Sequence, residues 1–303
     1  MRDPIELFEY PSEWIRVRER IEGKKEVAEK IGSGLYILTP EGWLRRGITT
    51  ATTASAAICG AVASLYEEVR EVEVKTPVGL KVRIKVKARD GICTAKKFAG
   101  DHSFDVTNGI EIVAEAFEDG WGVEFGEGIG VKNGKKAVSA SARKQIEENF
   151  KRYAELYGFK GRVVVSVPEG RSVAEKTKNS KLGVLGGVSL LGSTGFVEPW
   201  CEKLVRVKSM VANRYDRVVI TTGRSGWRWA LENLKGYQPF VFGVYLEEAL
   251  KSVEGEVIIV GLPALLRRWV GGKNGDLRRA VLKKAMQINE NVSDVILLGG
   301  GND

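Results

Sequence analysis

The sequence predicts an α+β N-terminal domain over residues 1–196, followed by an α/β (Rossmann-like, mostly parallel sheet) C-terminal domain over residues 197–303. In the first part, strand-like segments alternate apolar and polar residues, as in sheets with one solvated face. In the second part, apolar strand-like runs alternate with helical stretches, which is typical of a parallel sheet covered by helices. At 303 residues, the chain is long enough for two such domains.

Composition excludes several classes of protein. The net charge of +8 favours polyanionic partners, although surfaces rich in Lys and Glu are also common in proteins of thermophiles. No apolar run approaches the roughly 18–20 residues of a membrane span, and the acidic N-terminus with its two prolines does not resemble a secretory signal. We therefore expect a cytoplasmic protein with no membrane partner. Three scattered cysteines and a single histidine argue against a disulfide framework, a zinc site and a Ser–His–Asp triad.

The first predicted helix follows a cluster of threonines that can cap its free N–H groups. Its larger apolar residues are spaced four, three and four apart, which is one face of a helix, and are Ile58, Val62, Leu65 and Val69. Strands are predicted next over 71–76 and 80–88. The polar face of the second strand carries Lys81, Arg83, Lys85 and Lys87. These cations either meet an anion or simply keep that face solvated.

The middle of the chain contains three clearer elements and one unusual block. Alternation predicts a strand over 110–118, and apolar spacing predicts a helix from Ile146 to Tyr157 that ends at Gly158. A strand over 162–167 follows. Residues 182–195 read L-G-V-L-G-G-V-S-L-L-G-S-T-G, which we interpret as a buried strand flanked by tight turns.

The C-terminal part of the chain repeats one pattern, an apolar strand followed by a helix. The predicted strands are 217–221, 240–244, 257–261 and 294–298. The predicted helices lie near 227–235, 245–253, 263–270 and 276–290. This alternation is the basis for the predicted parallel sheet.

Two segments before residue 110 could carry chemistry. The first is R-R-G-I-T-T-A-T-T at 45–53, where clustered hydroxyls open a helix. A helix N-terminus can bind an anion, and a plain helix cap beside two surface arginines is an equal alternative. The second is G-D-H-S-F-D-V-T-N-G at 100–109, which is typical of a side-chain-bonded turn. Its functional interpretation is that Asp105, Thr107 and Asn108 face a pocket.

Glycine-rich segments follow later in the chain. G-E-G-I-G at 126–130 lacks the βαβ context of a dinucleotide loop, but it would let a backbone approach a flat ligand closely. The block at 182–198 is followed by Pro199, and its last residues with this proline read S-T-G-F-V-E-P. In the C-terminal domain, T-T-G-R-S-G at 221–226 and V-G-L-P at 260–263 follow the carboxyl ends of strands, where open α/β sheets bind ligands.

Together these segments resemble the CbiD family, the cobalt-precorrin-5B C-1 methyltransferases. The family's motifs are matched at Arg45–Ala54, Asp105–Gly109, 126–130 and Val167–Pro199, and the resemblance covers roughly residues 43–270. The sequence departs from the family pattern at Ala51 and Thr53, which replace a glycine and a cysteine, and at His102, which replaces an acidic residue. The lysine that the family places near residue 266 is absent.

The resemblance implies transfer of a methyl group from S-adenosylmethionine, as co-substrate, to carbon C-1 of cobalt-precorrin-5B, giving cobalt-precorrin-6A. Cobalt would arrive within this corrinoid substrate, so we expect no protein-bound metal. The expected catalytic residues are Asp105, Asn108 and Glu127. The expected substrate-binding residues are Arg45, Arg46, Thr49, Thr50, Thr107, Gly109, Gly128, Arg143, Gly187 and Thr194. The expected cofactor-binding residues are Gly223, Gly226 and Gly261. The N-terminal domain would bind the corrinoid and the C-terminal domain would bind S-adenosylmethionine.

Two alternative functions stay open at this point. A family member that binds a tetrapyrrole without turnover would fit the missing lysine. A nucleic-acid-binding protein would use the basic strand face at 81–87, but no aromatic residues are interleaved there, which argues against it. The sequence leaves the oligomeric state undetermined, with a homodimer as one option.

Overall fold

The structure of the protein, a computed structural model, describes residues 1–272 and 275–299. It divides into two compact units. The parallel-sheet unit comprises Met1–Gly32, Leu38–Trp43 and Trp200–Asp303, and the mixed-sheet unit comprises Ser33–Ile37 and Leu44–Pro199. The predicted fold class is confirmed, because one sheet is mixed and the C-terminal sheet is entirely parallel. The prediction placed the first 32 residues with the N-terminal domain, whereas they belong to the parallel-sheet unit.

The helices and strands are numbered in chain order. The helices are α1 (Ser12–Glu22), α2 (Lys24–Gly32), α3 (Thr50–Ala63), α4 (Ala140–Tyr157), α5 (Gly170–Glu175), α6 (Glu202–Ala212), α7 (Arg224–Asn233), α8 (Leu246–Ser252), α9 (Pro263–Trp269) and α10 (Leu277–Ile288). The strands are β1 (Tyr36–Thr39), β2 (Gly42–Arg45), β3 (Gly47–Ile48), β4 (Glu71–Lys75), β5 (Lys81–Arg89), β6 (Ile92–Lys96), β7 (Glu111–Phe117), β8 (Gly122–Phe125), β9 (Val131–Lys132), β10 (Lys135–Lys136), β11 (Arg162–Ser166), β12 (Phe196–Val197), β13 (Arg217–Thr221), β14 (Gln238–Val241), β15 (Glu256–Gly261) and β16 (Val292–Leu297). No helix in residues 1–272 and 275–299 is long and apolar enough to cross a membrane.

The central sheet of the mixed-sheet unit has the order β4-β5-β6-β7-β11-β8. Its neighbours are antiparallel except β11 and β8. Helix α3 packs on this sheet, and every one of its residues is buried, which its small side chains allow. A Cβ on Gly60 would overlap the Cys93 sulfur of β6, so close packing explains the glycine that is otherwise unfavourable in a helix.

The opposite face of this sheet is solvated, as the alternating sequence of β5 predicts. The predicted basic side chains of β5 are all exposed. Acidic residues of β4 lie directly across from two of them, with Glu71 opposite Lys85 and Glu73 opposite Arg83. Opposite charges at cross-strand positions stabilise a sheet, so this face is a mosaic of both signs and not a purely basic surface.

Side chains of α4 cover the free edge of β4. Asn149 accepts a hydrogen bond from the Lys75 N–H at 2.9 Å and donates one to the Lys75 carbonyl at 2.8 Å. The Tyr153 hydroxyl accepts from the Glu73 N–H at 3.0 Å. An uncovered edge strand is a template for unwanted pairing with another chain. Helix α4 therefore both supports the core and closes this end of the sheet.

The glycine-rich block is the main element that sequence patterning misjudged. The structure contains no continuous strand over 182–195, where a buried strand was predicted. Isolated bridges instead join Leu185, Val188 and Leu190 to neighbouring loops, and only β12 at the end of the block forms a short strand. Some of the apolar residues of this block are buried, as predicted. Their backbones pair mainly with irregular loops, and the periodicity of the sequence does not indicate such partners.

The four-stranded sheet of the parallel-sheet unit has the order β14-β13-β15-β16. The connection through α7 runs from β13 to β14, and the connection through α8 runs back past β13 to β15. Because such crossovers are right-handed, α7 and α8 lie on opposite faces of the sheet. The change of direction between β13 and β15 creates a topological switch point at their carboxyl ends.

The N-terminal segment closes one edge of this parallel sheet. The Glu6 carboxylate accepts a hydrogen bond from the Val241 N–H at 3.0 Å and pairs with Lys208 at 2.5 Å. Both charged side chains are buried, and Phe8 stacks on Phe240 beside them with ring centroids 5.5 Å apart. A carboxylate thus takes the place of a neighbouring strand at the edge of β14, which ties the start of the chain to its C-terminal part.

The role of α4 at the sheet edge generates a stability prediction. We expect Asn149→Ala to lower the free energy of unfolding by about 2–3 kcal/mol, because it removes several hydrogen bonds to buried or half-buried backbone groups. Glu147→Ala, on the exposed side of the same helix, is the matched control and should change stability by less than about 0.5 kcal/mol. Thermal and urea unfolding followed by circular dichroism measure both. Equal stability of the two variants would contradict the edge-capping role.

Candidate functional site

Segment 45–53 lies beside the turn at 100–109, so the structure brings the first two sequence motifs together. The Arg45 N–H donates to the Asp101 carboxylate at 2.7 Å, and the Asp101 N–H donates to the Arg45 carbonyl at 2.9 Å. A Cβ on Gly100 would overlap the Arg45 carbonyl oxygen, and one on Gly47 would overlap the backbone at Ala99. Glycine is therefore required at both crossings, because two backbones touch there.

The same segment pairs with the glycine-rich block on its other side. The Thr49 N–H donates to the Gly195 carbonyl at 3.1 Å, and the Thr52 hydroxyl donates to the same carbonyl at 2.8 Å. The Thr50 hydroxyl accepts from the Leu191 N–H at 2.9 Å. Strands β3 and β12 complete the contact with an antiparallel pair. The threonines of the first motif are thus used to hold a neighbouring loop.

The G-E-G-I-G loop packs against the other end of the glycine-rich block. A Cβ on Gly128 would overlap the Val167 carbonyl, and a Cβ on Gly187 would overlap the Gly128 carbonyl. The Lys136 ammonium group donates a hydrogen bond to the Gly126 carbonyl at 2.5 Å. The predicted motifs therefore form one contiguous set of backbones, which we call the motif layer and define as residues 45–53, 98–109, 126–131 and 183–198.

The N-terminus of α3 is buried within the motif layer. The Thr49 hydroxyl caps the Thr52 N–H at 3.2 Å, and the Ala51 N–H donates to the Leu191 carbonyl at 3.2 Å. Thr194 is also buried, and its hydroxyl bonds the Phe196 backbone. Segment 45–53 was interpreted either as an anion site or as a helix cap. The structure contains the hydrogen bonds of the helix cap, in which the N–H groups of Ala51 and Thr52 point at protein oxygens.

The two adjacent arginines have different environments. Arg46 is completely buried, and its guanidinium donates to Glu198 at 2.8 Å and to the Gly34 carbonyl at 3.1 Å. Arg45 is exposed, with its guanidinium carbon 4.0 Å from the centre of the Phe98 ring. A direct role of Arg46 in substrate binding stays a prediction, whereas its contacts give it a structural role. Arg45 is the member of the pair that a ligand can reach.

Arg143 repeats the arrangement of Arg45. It is exposed on the first turn of α4, and its guanidinium carbon lies 5.0 Å from the centre of the Phe125 ring. Phe125 directly precedes the G-E-G-I-G loop, and Phe98 lies two residues before the start of the turn at 100–109. An aromatic ring beneath a guanidinium restricts its motion while leaving its N–H groups free to bind. Neither ring was predicted from the sequence, although each lies close to a recognised motif.

An ion pair beneath the turn at 100–109 holds Asp105. Its carboxylate pairs with buried Lys97 and accepts from the Thr107 N–H and hydroxyl at 2.9 and 2.5 Å. Burial raises the pKa of Asp105, but the hydrogen bonds from Lys97 and Thr107 outweigh it and hold the pKa below its ordinary value. Burial also lowers the pKa of Lys97, which Asp105 partly offsets. Asp105 is therefore ionised at neutral pH and already fully engaged.

The other two expected catalytic residues are more accessible. Asn108 is exposed, yet its side-chain oxygen accepts from the Ala99 N–H at 3.0 Å, so it fastens the end of the turn to the residue that precedes it. Gly109 follows with a φ of +79°, a conformation that favours glycine. Glu127 is mostly exposed and lies 3.6 Å from the guanidinium of Arg171. Of the two carboxylates among the expected catalytic residues, that of Glu127 is more exposed to solvent than that of Asp105.

The three glycines expected to bind the methyl donor flank the topological switch point. Gly223 and Gly226 follow β13, and Gly261 ends the adjacent β15. A Cβ on Gly226 would lie 3.0 Å from the Val260 carbonyl, and one on Gly261 would lie 2.6 Å from the Thr222 hydroxyl. A Cβ on Gly223 would meet no heavy atom within 4 Å among the described residues. Two glycines thus serve internal packing, and Gly223 leaves open space at the strand ends.

Fold and site together define a two-unit α/β protein with a glycine-rich motif layer on its mixed sheet. The whole chain is similar to the crystal structure of a cobalamin biosynthesis protein (cbiD) from Archaeoglobus fulgidus, with a TM-score of 0.88, 49% identity and coverage of 98% of this chain and 99% of that chain. The CbiD family model matches residues 38–199. The chain belongs to the CbiD family.

Individual relatives are similar to this chain beyond residues 38–199, the region that the family model matches. A protein of Archaeoglobus fulgidus named cobalt-precorrin-5B C(1)-methyltransferase is 53% identical over 92% of this chain and 90% of its own length. A protein of the same name from Methanococcoides burtonii is 40% identical over 88% of this chain and 81% of its own length. In the described residues, no group of three or more His, Cys, Asp or Glu side chains is placed to hold a metal ion.

The Asp105–Lys97 pair generates a pH-dependent prediction. Because the folded pKa of Asp105 lies below its unfolded value of about 3.9, the pair stabilises the protein above that pH and stops doing so as the pH falls through the folded pKa. We expect Asp105→Asn to cost about 3–5 kcal/mol at pH 7, since it leaves a buried lysine without its carboxylate. The difference in thermal midpoint from wild type should shrink at pH values below the folded pKa. Glu118→Gln, an exposed carboxylate, is the control, and a pH-independent difference for Asp105→Asn would refute this reading.

Proposed function

We propose that this protein transfers a methyl group to ring carbon C-1 of cobalt-precorrin-5B in cobalamin biosynthesis. The observation that carries the proposal is 53% identity over 92% of the chain to a protein named for that reaction. Three departures from the family pattern, Ala51, Thr53 and His102, lie within the motif layer, but none of them replaces a glycine at which its backbones cross. An intact layer supports turnover, and it argues against a family member that binds a tetrapyrrole and does not react.

The chemistry of the substrate fits the exposed side of the motif layer. A corrinoid is a macrocycle ringed by acetate and propionate carboxylates. Arg45 and Arg143 are exposed cations that are each stacked on a phenylalanine, so they lose little freedom when they grip a carboxylate bidentately. Thr107, Gly109 and the threonines of the first motif shape the loops that present these cations. We assign Gly128, Gly187 and Thr194 the same shaping role within the corrinoid site.

S-adenosylmethionine is the proposed methyl donor, and the switch point of the parallel sheet is its proposed site. Bound there, the donor would supply a methyl group on a positively charged sulfur. Open α/β sheets bind ligands at the carboxyl ends of strands where the strand order reverses. Gly223 leaves space at that place, and the N–H groups that begin α7 follow it directly. Gly226 lets α7 pack closely on β15, and Gly261 lets the end of β15 pack closely on Thr222.

Methyl transfer requires alignment more than acid–base chemistry. Correct orientation of two reactants can lower a barrier by up to about 7–11 kcal/mol. Asp105 and Asn108 would contribute by holding the turn at 100–109 in one conformation, while Glu127 places an exposed carboxylate on the G-E-G-I-G loop, 3.6 Å from the Arg171 guanidinium. The buried thiols of Cys59 and Cys93 are poor nucleophiles, because burial raises the pKa of both, to about 12 for Cys93. Free thiols also suit a reducing cytoplasm.

An activity assay tests the reaction itself. Anaerobic incubation with cobalt-precorrin-5B and methyl-labelled S-adenosylmethionine should give a product one methyl group heavier by mass spectrometry. We expect Arg45→Ala to raise the KM for the corrinoid about tenfold or more, from the loss of a charge-assisted contact, with the KM for the donor unchanged. Arg83→Ala, an exposed arginine on the solvated sheet face, is the control. Binding without any turnover by wild type would favour the tetrapyrrole-binding alternative.

A second substitution tests the donor site. Gly223 has extended backbone and open space, so Gly223→Val should fold normally and project into the switch point. We expect the dissociation constant for S-adenosylmethionine, measured by calorimetry, to rise about tenfold or more, because added volume at a binding surface typically costs about 1–3 kcal/mol. Gly32→Val is the matched control, because a Cβ at this exposed position at the end of α2 would also meet no heavy atom within 4 Å. Unchanged donor affinity in Gly223→Val would place the donor elsewhere.

A further inference from the structure

Phe104 is the most exposed large apolar side chain of the mixed-sheet unit. Its side chain is 82% exposed at the tip of the turn at 100–109, and Val106 beside it is 49% exposed. Other exposed rings in this unit pack on a neighbour, since Trp121 contacts Phe150 and Tyr66 stacks on Tyr157. Within the described residues, Phe104 has no such ring contact. One exposed ring is unremarkable in itself, so its support and its surroundings decide its meaning.

The turn beneath Phe104 is braced on several sides. The Phe104 N–H donates to the His102 ring nitrogen at 3.1 Å. The next residue, Asp105, pairs with Lys97 and bonds Thr107 twice, and Asn108 bonds the Ala99 N–H. Lys97 is buried, and burying a lysine is costly unless a carboxylate compensates for it. These contacts hold the backbone that carries a solvent-facing phenylalanine, although the turn gains no core packing from its ring.

The same turn is joined to the segment that carries an exposed cation. Asp101 and the backbone of Arg45 exchange two hydrogen bonds, and the Arg45 guanidinium carbon lies 4.0 Å from the centre of the Phe98 ring. An exposed apolar ring and an exposed guanidinium therefore occur on two segments that are hydrogen-bonded to each other. This combination is complementary to a flat ligand that has a conjugated face and a rim of carboxylates.

We propose that the Phe104 ring stacks against the face of the corrinoid macrocycle while Arg45 holds a peripheral carboxylate. The inference rests on the proposed function for the identity of the ligand. It assigns the turn at 100–109 a binding task, in which the polar residues Asp105, Thr107 and Asn108 act as positioning residues for the ring. Phe104 itself determines affinity for the macrocycle and has no part in binding the methyl donor.

Steady-state kinetics of two variants test this assignment. We expect Phe104→Ala to raise the KM for cobalt-precorrin-5B about tenfold, as for loss of one aromatic stacking contact, with the KM for S-adenosylmethionine within twofold of wild type. Phe104→Trp should restore the wild-type KM, because it keeps an aromatic face. Ile92→Ala, a 49% exposed residue on the solvated sheet face, is the control and should change neither KM. The thermal midpoint of every variant should stay within about 2 °C, since none of these side chains is buried.

A binding measurement separates this inference from the proposed reaction. Equilibrium dialysis of the full chain with a stable cobalt corrinoid that carries free carboxylates should show the same roughly tenfold loss for Phe104→Ala, even if wild type produces no methylated product. Wild-type turnover together with an unchanged corrinoid KM in Phe104→Ala would overturn the assignment. An equal rise in both KM values would overturn it as well. A changed oligomeric state in gel filtration with unchanged corrinoid affinity would show that Phe104 contacts a second copy of the chain instead.

Discussion

Direct contact between backbones at glycine positions is the constraint on which the mixed-sheet unit depends. Gly47 and Gly100 meet where segment 45–53 crosses the turn at 100–109, and Gly128 and Gly187 meet where the G-E-G-I-G loop crosses the glycine-rich block. Any side chain at these four positions would overlap a backbone atom. Irregular loops without long strands are thereby locked into one layer, because each loop's N–H and C=O groups bond those of its neighbours.

This constraint changes the meaning of the polar residues in the motifs. Hydroxyl and amide groups that look available for a ligand are engaged in holding the layer, as Thr49, Thr50 and Asn108 illustrate. The side chains that face solvent on or beside this layer include two cations, Arg45 and Arg143, and one aromatic ring, Phe104. In the proposed function, this layer would bind a large ring by rigid presentation of a few exposed groups. Such presentation suits a methyl transfer whose main requirement is alignment.

Buried charge pairs fasten the ends of these irregular segments. Arg46 with Glu198 joins the start of the first motif to the end of the glycine-rich block, and Lys97 with Asp105 fixes the exposed turn. In the parallel-sheet unit, Glu6 with Lys208 fixes the N-terminal segment at an open sheet edge. A buried pair contributes little net stability compared with apolar packing, but it penalises any arrangement that separates its members. These pairs therefore specify where the loops lie.

The sequence by itself determined the regular elements and the family. Period-two strands such as β5, helix α4 with its glycine stop, and the alternation that builds the parallel sheet follow from local patterns of burial, and the ordered motifs indicated CbiD. Only the tertiary structure decided that residues 182–195 form loops, that Arg46 is buried while Arg45 is exposed, and that Phe98 and Phe125 support the exposed arginines. The physical reason is that local periodicity reports the burial of an element's own faces. The partners of loop backbones and of individual charges are distant in sequence, so their positions depend on contacts that form only when the chain has folded.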